Sequence, residues 1–453
     1  MKRPPLELTV RTEKIVHGGQ ALARDDRFVL FVDDALPDET VRAHVYKKKK
    51  NFAFARAVDI IDPSPDRVAS DCLLASDCGG CTFRHAAYSA QLRYKKAIVA
   101  EALHDIPGAA ERLRDVVPAD AINDYRNKMV FSFGTTLDGQ LVLGLHRRGS
   151  FIHILPADSC RLQSEASREI VRRVVALANE LGIPAFHEIK KTHGLRTLTI
   201  REARNTGQRM VELLSTLPDD ELAARLVRDL DDLADTLSFA LCTNLHGPPR
   251  AEQRAVLKGP GFIEEVLNGL RFRIGPDTFF QSNTAQAERL FARARELATR
   301  DRRPRTALDL YAGTGPVALH LAAVADRVIG VEAFPPSVEA ARENLNLNHI
   351  ANVDMLAADV NEKAPPGLPD RVDLVAVDPP RPGLSAEAVD WINRLNPDTL
   401  LYISCNPSTL ARDLHRFLEA APWRLEALEP FDLFPHTAHI ETLALLQRHA
   451  PGT

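Results

Sequence analysis

The sequence predicts an α/β protein whose C-terminal part is a parallel, doubly wound sheet, and three patterns support this. After about residue 266, apolar strand-like runs alternate with amphipathic helical runs, and polar residues stand at the strand ends. Residues 6–62 alternate apolar and polar side chains in short runs, as a small β-barrel does. Between these regions strand and helix patterns are mixed, which is typical of an α+β unit.

Three domains are predicted. A chain of 453 residues is too long for a single hydrophobic core and suggests about three domains. Pro63 and Pro65 interrupt the barrel pattern, so the β-barrel domain is placed at 1–62. The central α+β domain then covers 63–265, and the parallel-sheet domain covers 266–453.

The charge pattern leaves room for a local basic face. A formal net charge of -4 argues against a protein that is basic over its whole surface. Such runs of charge are more often solvated surface than nucleic-acid contacts. The basic runs are Lys47–Lys50, Arg147-Arg148, Lys190-Lys191 and Arg302-Arg303.

The sequence predicts no membrane segment. No apolar run reaches the ~18 residues that cross a bilayer. The start MKRPPLELTVRTEK has no apolar core of the kind that a signal peptide needs. We therefore expect a cytoplasmic protein.

A glycine turn and an acidic residue on consecutive strands predict a nucleotide-type cofactor. The segment ALDLYAGTGPVALHLA combines a strand, a turn with Gly313 and Gly315, and the start of a helix. Glycine lets the backbone turn tightly and approach a ligand, although an ordinary tight turn would show the same pattern. The next strand ends at Glu332, whose carboxylate is able to accept hydrogen bonds from both hydroxyls of a ribose. A third glycine and a phosphate-binding lysine are missing, which disfavours dinucleotides and ATP and leaves S-adenosylmethionine.

The segment VAVDPPRPGL ends another strand of this sheet with Asp378. Its two prolines fix the following loop, so a rigid turn with a capping aspartate is one interpretation. Enzymes that methylate amino groups carry a similar Asp-Pro-Pro followed by an aromatic residue. Arg381 follows here, which disfavours methylation of an amino group.

A lone cysteine, Cys405, ends the apolar strand LLYIS. Asn406-Pro407 stops the strand there, because proline has no N–H for the sheet ladder. Most free cysteines are small buried apolar residues, and this is one interpretation of Cys405. Its place in the same row of strand ends as Asp378 indicates instead a thiolate nucleophile next to a methyl donor.

Methylation of carbon 5 of a pyrimidine requires this pair of groups. C5 is too weak a nucleophile by itself, but addition of a thiolate at C6 makes it enolate-like. After C5 has taken the methyl group, a base must remove the C5 proton so that the thiol is expelled. Glu441, in HIETLALL just before a final apolar strand, is the candidate base.

These segments together resemble the RNA uracil-5-methyltransferase family. The shared motifs are SCNPSTLARD, HIETLALL, FFQSN, DLYAGTGPVAL and DPPRPGL, in the family's order and over nearly the whole chain. The resemblance implies a class I, Rossmann-like methyltransferase domain with Cys405 as nucleophile and Glu441 as base. Pro316 departs from the family, in which several members have a cofactor-binding asparagine, but proline is acceptable in the first turn of a helix. The implied contacts to S-adenosylmethionine are Gln281, Tyr311, Gly313, Glu332, Asp359 and Asp378.

Four of the six cysteines are predicted to bind a metal ion or a cluster, while Cys242 is expected in the core. Disulfides are rare in the cytosol, and four thiolates suit zinc and a [4Fe-4S] cluster equally well. The family resemblance favours the [4Fe-4S] cluster, because some members carry the same cysteine arrangement. Radical methylthiotransferases are disfavoured, since they use Cys-x3-Cys-x2-Cys and leave one iron open. The four cysteines are Cys72, Cys78, Cys81 and Cys160.

The first 62 residues resemble the TRAM domain, an oligonucleotide-binding type of barrel that binds RNA through a basic surface. This resemblance implies RNA as the partner and contacts from Lys47–Lys50 to phosphates. Transfer-RNA members of the family often lack this domain and the cluster, so we expect 23S ribosomal RNA as the substrate of a monomeric enzyme. The alternatives are the same reaction on transfer RNA and a non-catalytic RNA-binding factor for ribosome assembly.

Overall fold

The computed structural model describes residues 6–26, 28–136, 138–361 and 364–449. Residues 1–5 lie outside the described residues. They begin the segment MKRPPLELTVRTEK, which we expect not to be a signal peptide. No helix in the described ranges is long and apolar enough to cross a bilayer. The strands are β1 (Leu6–Ile15), β2 (Ala21–Asp25), β3 (Phe28–Asp33), β4 (Thr40–Lys48), β5 (Phe52–Asp62), β6 (Lys128–Thr135), β7 (Leu141–His146), β8 (Ile154–Pro156), β9 (Leu195–Glu202), β10 (Arg209–Ser215), β11 (Thr236–Leu241), β12 (Gln253–Lys258), β13 (Ile263–Leu267), β14 (Leu270–Ile274), β15 (Thr306–Leu310), β16 (Arg327–Glu332), β17 (Val353–Ala357), β18 (Leu374–Val377), β19 (Thr399–Ser404), β20 (Trp423–Phe431) and β21 (Glu441–Arg448). The helices are α1 (Tyr88–Ala102), α2 (Ala109–Arg112), α3 (Glu165–Glu180), α4 (Asp220–Asp229), α5 (Thr284–Ala298), α6 (Pro316–Ala322), α7 (Pro335–Leu347), α8 (Ala386–Arg394) and α9 (Pro407–Ala420).

The chain forms two compact units. The first unit comprises Met1–Ser76, Gly80–Ala119 and Asn361–Thr453, and the second unit comprises Asp77–Gly79 and Asp120–Val360. The chain therefore passes between the units several times, a feature that periodicity along the sequence does not reveal. The boundaries predicted after residues 62 and 265 remain predictions.

In the first unit, β1 to β5 form a closed barrel in the order β1-β2-β3-β5-β4. Alternate residues of β3 are buried, as expected when successive side chains point to opposite faces of a strand. Leu30 and Val32 thus lie in the barrel core, which continues into helix α1 through Ala90 and Ile98. The predicted β-barrel is confirmed.

The first unit also contains four sheet strands in the order β18-β19-β21-β20. Strands β18 and β19 are parallel, and β21 runs antiparallel to both of its neighbours, β19 and β20. All four residues of β18 are buried, which is typical of a strand covered on both faces. Helices α8 and α9 pack together, and α9 also contacts α1 and β20.

In the second unit, a mostly antiparallel sheet has the order β12-β11-β10-β9-β6-β7-β8, with β10 and β11 parallel. Helices α3 and α4 pack against each other and against β7 and β12, respectively. Three further strands, β17-β16-β15, are parallel, with α6 and α7 packed on them. The carboxyl ends of these parallel strands meet at one edge, so the predicted α/β arrangement is confirmed.

Candidate active site

Cys405 lies between strand β19 and helix α9 in a turn fixed by its neighbours. Asn406 caps the helix by accepting a hydrogen bond from the backbone N–H of Ser408 at 3.1 Å. Pro407 is the first helical residue, a position at which the N–H is not needed. The hydroxyl of Ser404 donates to the carbonyl of Asn406 at 3.1 Å. The sequence SCNP therefore holds a half-buried thiol at a strand end.

The loop after β18, which carries Asp378 and Arg381, is attached to this turn. The side-chain amide of Asn406 and the hydroxyl of Thr409 each donate to the carbonyl of Arg381 at 3.2 Å. The side chain of Arg381 is exposed, and its Nη2 lies 3.4 Å from Nε2 of His439. The loop therefore brings a positive charge to the turn that carries Cys405.

Asp413 of helix α9 is buried and fixes the same loop by hydrogen bonds. Its fully buried carboxylate accepts hydrogen bonds from the backbone N–H of Leu384 at 2.8 Å and from the hydroxyl of Tyr402 at 2.7 Å. The neighbouring Arg412 donates to the carbonyl of Pro382 at 2.7 Å. Strand β19, helix α9 and the Asp378 loop are thus held as one structure.

Glu441 is the buried first residue of β21, and the loop before it is anchored on helix α1. Lys95 of that helix forms a fully buried ion pair with Asp432 at 2.5 Å and donates to the carbonyl of Phe434 at 3.0 Å. The backbone N–H of His436 donates to the side-chain oxygen of buried Gln91 on the same helix at 2.8 Å. These contacts fix the chain immediately before Glu441.

Burial and repulsion raise the pKa values of the acidic groups in this region. Burial raises the pKa of Asp378 to about 7. Burial and the charge of Asp378 raise the pKa of Glu441 well above its ordinary value, and Arg381 opposes this. Burial, Glu441 and Asp378 raise the pKa of Cys405 to about 11, again against Arg381. A thiol, two carboxyls and a guanidinium are therefore close enough for their charges to interact.

The turn between β1 and β2 of the barrel reaches the same region. A Cβ added at Gly19 would lie 3.0 Å from Cβ of Ala438 and 3.3 Å from Oγ1 of Thr82. That Thr82 hydroxyl accepts a hydrogen bond from the backbone N–H of Ala438 at 3.0 Å. Burial and the charge of Arg381 lower the pKa of His17 at the tip of the turn. The sequence His17-Gly18-Gly19 indicates a turn and nothing more, so local sequence does not reveal this contribution of the barrel.

The second unit carries five of the predicted cofactor residues, four of them after its parallel strands. Tyr311 and Gly313 follow β15 with φ angles of 61° and 55°. Glu332 ends β16, and its Oε2 and Oε1 accept hydrogen bonds from the backbone N–H groups of Gly313 at 3.0 Å and Phe334 at 2.8 Å. Asp359 follows β17 and is exposed. All four residues lie at the edge formed by the carboxyl ends of the parallel strands, and their roles as cofactor contacts stay predictions.

The two glycines of the turn serve different purposes. A Cβ added at Gly313 would meet no atom within 4 Å, so this side of the turn faces open space. A Cβ added at Gly315 would lie 2.8 Å from Cδ1 of Leu319 and 3.4 Å from Cβ of Ala341. Gly315 is therefore needed for helix packing, whereas only Gly313 leaves room for the approach of a ligand. Pro316 begins helix α6, as its sequence position allows.

Gln281 lies in the buried segment that leads to helix α5, and Asn127 holds this segment. The side-chain amide of Asn127 donates to the carbonyl of Gln281 and to Oγ1 of Thr284, each at 2.9 Å. The backbone N–H of Asn127 donates to the carbonyl of Ser282 at 2.9 Å. Nothing in the sequence around Asn127 indicates this role, because its partners are about 150 residues away.

The residues of the second unit fit S-adenosylmethionine by their chemistry. Each carboxylate oxygen of Glu332 has a lone pair beyond the one that accepts a backbone N–H, which is what two ribose hydroxyls require. The open side of Gly313 permits a ligand to approach the backbone. Asp378 lies in the first unit and is grouped there with Cys405.

The four predicted cluster cysteines divide between the units, with Cys72 and Cys81 in the first and Cys78 and Cys160 in the second. Within the described residues, no group of three or more His, Cys, Asp and Glu side chains is arranged to hold a metal ion. Burial lowers the pKa of Arg84, but Cys81 and Asp71 outweigh this and raise it. Cys242 is buried, as predicted.

Comparison with solved structures defines the class of fold. The chain is similar to the crystal structure of the tRNA (uracil-54, C5)-methyltransferase of Pyrococcus abyssi in complex with S-adenosyl-L-homocysteine. The TM-score is 0.77 at 26% sequence identity, over 96% of this chain and 99% of that chain. The fold is that of a methyltransferase with a Rossmann-like domain.

Sequence comparison defines the family. Residues 205–364 and 370–449 match the profile of tRNA (uracil-5-)-methyltransferases, and residues 5–58 match the TRAM domain. An RNA methyltransferase of Halalkalibacterium halodurans, itself uncharacterized, is 34% identical over 98% of this chain and 97% of its own length. Another from Gloeobacter violaceus is 37% identical over 97% and 96%, respectively. The chain belongs to the tRNA (uracil-5-)-methyltransferase family, and the resemblance predicted from its motifs is confirmed.

Proposed function

We propose that the protein methylates carbon 5 of uridine in RNA, with S-adenosylmethionine as the methyl donor. The observation that carries this proposal is the single group formed by the Cys405 thiol, the Asp378 and Glu441 carboxyls, and the Arg381 guanidinium. Family membership supports it, and so does the likeness to a tRNA (uracil-54, C5)-methyltransferase that was crystallised with S-adenosyl-L-homocysteine.

Cys405 starts the reaction by adding its sulfur to C6 of the uracil. Burial and the two carboxyls raise the pKa of the thiol to about 11, so the thiol must first give up its proton to a base or to water before its sulfur attacks. Arg381 favours the thiolate, because its charge lowers the pKa of Cys405. The sulfur–C6 bond then pushes electrons to C5, which becomes nucleophilic.

Glu441 completes the reaction by accepting the proton from C5. The electrons of the C5–H bond re-form the C5–C6 double bond, and the sulfur of Cys405 leaves C6. A buried carboxyl with a raised pKa suits this task, because it holds an accepted proton more firmly than an exposed carboxyl does. The loop anchored on helix α1 holds the position of Glu441.

The cofactor contacts are proposed for Gln281, Tyr311, Gly313, Glu332, Asp359 and Asp378. When bound, S-adenosylmethionine supplies an electrophilic methyl group. Glu332 orients the nucleoside by accepting hydrogen bonds from the ribose, and Gly313 lets the ligand approach the backbone.

We propose 23S ribosomal RNA as the substrate of a monomeric enzyme. The TRAM domain and the four-cysteine pattern support ribosomal RNA by analogy within the family. Transfer RNA is the second candidate, because the similar solved structure is a transfer-RNA enzyme. The target uridine must leave its stack so that Cys405 reaches one face of the base, and we expect it to flip out of a folded RNA.

A [4Fe-4S] cluster on Cys72, Cys78, Cys81 and Cys160 is proposed separately, and no step of the reaction depends on it. The family resemblance supports it, because some members carry the same cysteine arrangement, and the Arg84 charge next to Cys81 suits a thiolate ligand. Anaerobically purified protein should contain about four iron and four sulfide per chain, with a broad absorption band near 400 nm that Cys81→Ser abolishes. If the protein contains stoichiometric zinc and no iron, the four cysteines form a zinc site and not a cluster.

The proposed reaction is tested with 5-fluorouridine-substituted RNA. Purified protein is incubated with S-adenosylmethionine and either 23S ribosomal RNA or transfer RNA, each transcribed with 5-fluorouridine. Fluorine at C5 is not removed as a proton, so the sulfur–C6 bond persists and a covalent protein–RNA adduct appears on a denaturing gel. Peptide mass spectrometry should locate the adduct on Cys405, and Cys405→Ala should abolish it.

The two RNAs separate the candidate functions. An adduct with ribosomal RNA alone supports the first choice, and an adduct with transfer RNA alone supports the second. No adduct with either RNA, from a protein that still binds both, would favour a non-catalytic RNA-binding factor.

A further inference from the structure

A cavity in the second unit has no role in the proposed reaction. Its volume is about 210 Å³, and it lies at one end of the antiparallel sheet, where β6, β7 and β9 meet the hairpin between β7 and β8. The lining residues that matter for its chemistry are Ser132, Phe151, Phe186, His187, Glu188 and Arg196.

One wall of the cavity is a stacked pair of planar groups. The guanidinium carbon of Arg196 lies 4.5 Å from the ring centre of Phe186. Arg196 is nearly fully buried, and it donates to the carbonyls of Asn244 at 3.0 Å and Gly247 at 3.2 Å. Because these bonds fix the guanidinium, the wall is rigid, and the small part of it that faces the cavity offers a fixed packing surface to a ligand.

The cavity also contains polar atoms that suit the edge of a base. Nδ1 of His187 accepts hydrogen bonds from the backbone N–H groups of Ile189 and Lys190, both at 3.2 Å. The ring of His187 therefore carries its proton on Nε2, which is a donor. Oγ of Ser132 and Nε2 of His146 lie 3.1 Å apart and offer a further donor and acceptor.

The rim of the cavity combines an exposed aromatic ring with basic residues. Phe151 is 69% exposed, which is unusual for a phenylalanine unless a partner covers it. The basic pairs Arg147-Arg148 and Lys190-Lys191 stand near lining residues in the chain. Lys191 is paired with Glu188 at 3.2 Å and Arg147 with Asp77 at 2.7 Å, but such partly exposed ion pairs are weak and leave both cations able to meet a phosphate. Nζ of Lys191 lies 5.6 Å from the ring centre of Phe186. An anionic partner with an aromatic group matches this rim.

We propose that this cavity binds an unpaired nucleobase of the RNA substrate, other than the uracil that is methylated. The base stacks on Phe151 and packs against the Arg196–Phe186 wall, its edge bonds to His187 and Ser132, and adjacent phosphates lie near the two basic pairs. The proposal rests on RNA as the substrate of the proposed function. It assigns the cavity to recognition of the fold of the RNA rather than to methyl transfer.

Two variants and one control test this proposal in the full-length protein. Ser132→Phe fills the cavity with a ring, and Phe151→Ala removes an exposed ring without disturbing the core. The matched control is Ile189→Ala, because Ile189 is 64% exposed in the same loop as His187 but does not line the cavity. All three are compared with the wild type by KM and kcat on the RNA that the wild type methylates.

Loss of one stacked base should raise the KM for RNA roughly five- to hundredfold in both cavity variants. The value of kcat at saturating RNA and the KM for S-adenosylmethionine should stay at wild-type values, and Ile189→Ala should match the wild type. An unchanged KM in Ser132→Phe would overturn the proposal and leave the methylation reaction intact.

Crosslinking gives a readout that does not depend on catalysis. The probes are 23S ribosomal RNA and transfer RNA transcribed with 4-thiouridine or 6-thioguanosine and irradiated in complex with the protein. A crosslinked peptide that contains Phe151 or His187, lost in Ser132→Phe, supports the proposal even if no methyl group is transferred. Crosslinks confined to the barrel and to the peptide of Cys405 would contradict it.

Discussion

Glu332 and Glu441 both stand at ends of sheet strands, but their surroundings differ. Glu332, in the second unit, accepts hydrogen bonds from two backbone N–H groups, those of Gly313 and Phe334. Glu441, in the first unit, is buried near the charge of Asp378, and both effects raise its pKa. Two backbone donors fix the position of the Glu332 carboxylate. Burial beside a second carboxyl raises the pKa of Glu441, so that this carboxyl holds a proton more readily. The same residue type thus suits ligand binding in one unit and proton transfer in the other.

The largest expected effect is that of Glu441→Gln, which removes the proton acceptor but keeps the shape of the side chain. Release of RNA that contains 5-methyluridine should fall roughly 10²–10⁴-fold, the usual contribution of a general base. An adduct between Cys405 and ordinary uridine RNA should accumulate, because C5 keeps its proton after methylation. Radiolabelled methyl groups in protein-free RNA measure the first effect, and the protein–RNA band on a denaturing gel measures the second.

The same substitution at Glu332 is the matched control for Glu441→Gln. A rate loss in Glu332→Gln as large as that in Glu441→Gln, with KM values unchanged, would remove the distinction between the two carboxylates.

A smaller effect is expected for Glu332→Gln itself. Glutamine has a single acceptor oxygen, so one of the two backbone N–H groups would face an NH2 group instead of an oxygen. Loss of one charge-assisted hydrogen bond should raise the KM for S-adenosylmethionine about tenfold. Titration calorimetry with S-adenosyl-L-homocysteine should show a parallel loss of affinity, while the KM for RNA stays constant. If Glu332→Gln binds S-adenosyl-L-homocysteine as tightly as the wild type does, the proposed role of Glu332 is wrong.

The smallest expected effect is a shift of the pH profile in Asp378→Asn. Activity requires both Glu441 and Cys405 without their protons, so the rate rises with pH as these two groups ionise. Asp378 raises the pKa of each, so removal of this charge should lower both pKa values and move the acid limb of the profile to lower pH. Single-turnover rates at saturating S-adenosylmethionine measure the limb. A limb that stays in place or moves to higher pH would show that the two carboxyls are not coupled.

Much of the candidate site follows from local sequence, because strand ends are visible in it. The apolar run before Cys405 and the proline after it predict a thiol at the end of a strand, and β19 does end at Ser404. Glu332 is found in the same way, since an apolar strand leads directly to it. Tertiary contacts are not visible: Gly315 packs against Ala341 of another helix, although the motif suggested a ligand.

The contribution of the barrel could not be predicted for the same reason. The charge of Arg381 lowers the pKa of His17, but the two residues are far apart in the chain. Nothing in the sequence HGG indicates which residues the turn contacts. Lys95 and Asp432 are separated by 337 positions and carry ordinary charges in unremarkable segments. Pairing over such distances is decided by the fold and not by any local pattern.

The buried ion pair between Lys95 and Asp432 limits how this protein can be divided or recombined. A fragment that begins at residue 266 keeps the candidate nucleophile and base but loses Lys95 and Gln91, which anchor the loop before Glu441. A buried Asp432 without its lysine should destabilise the fragment by roughly 3–5 kcal/mol. The segment that supplies Cys405 and Glu441 is therefore not a self-sufficient module. In a chimera of two relatives, helix α1 and this segment would have to come from the same parent.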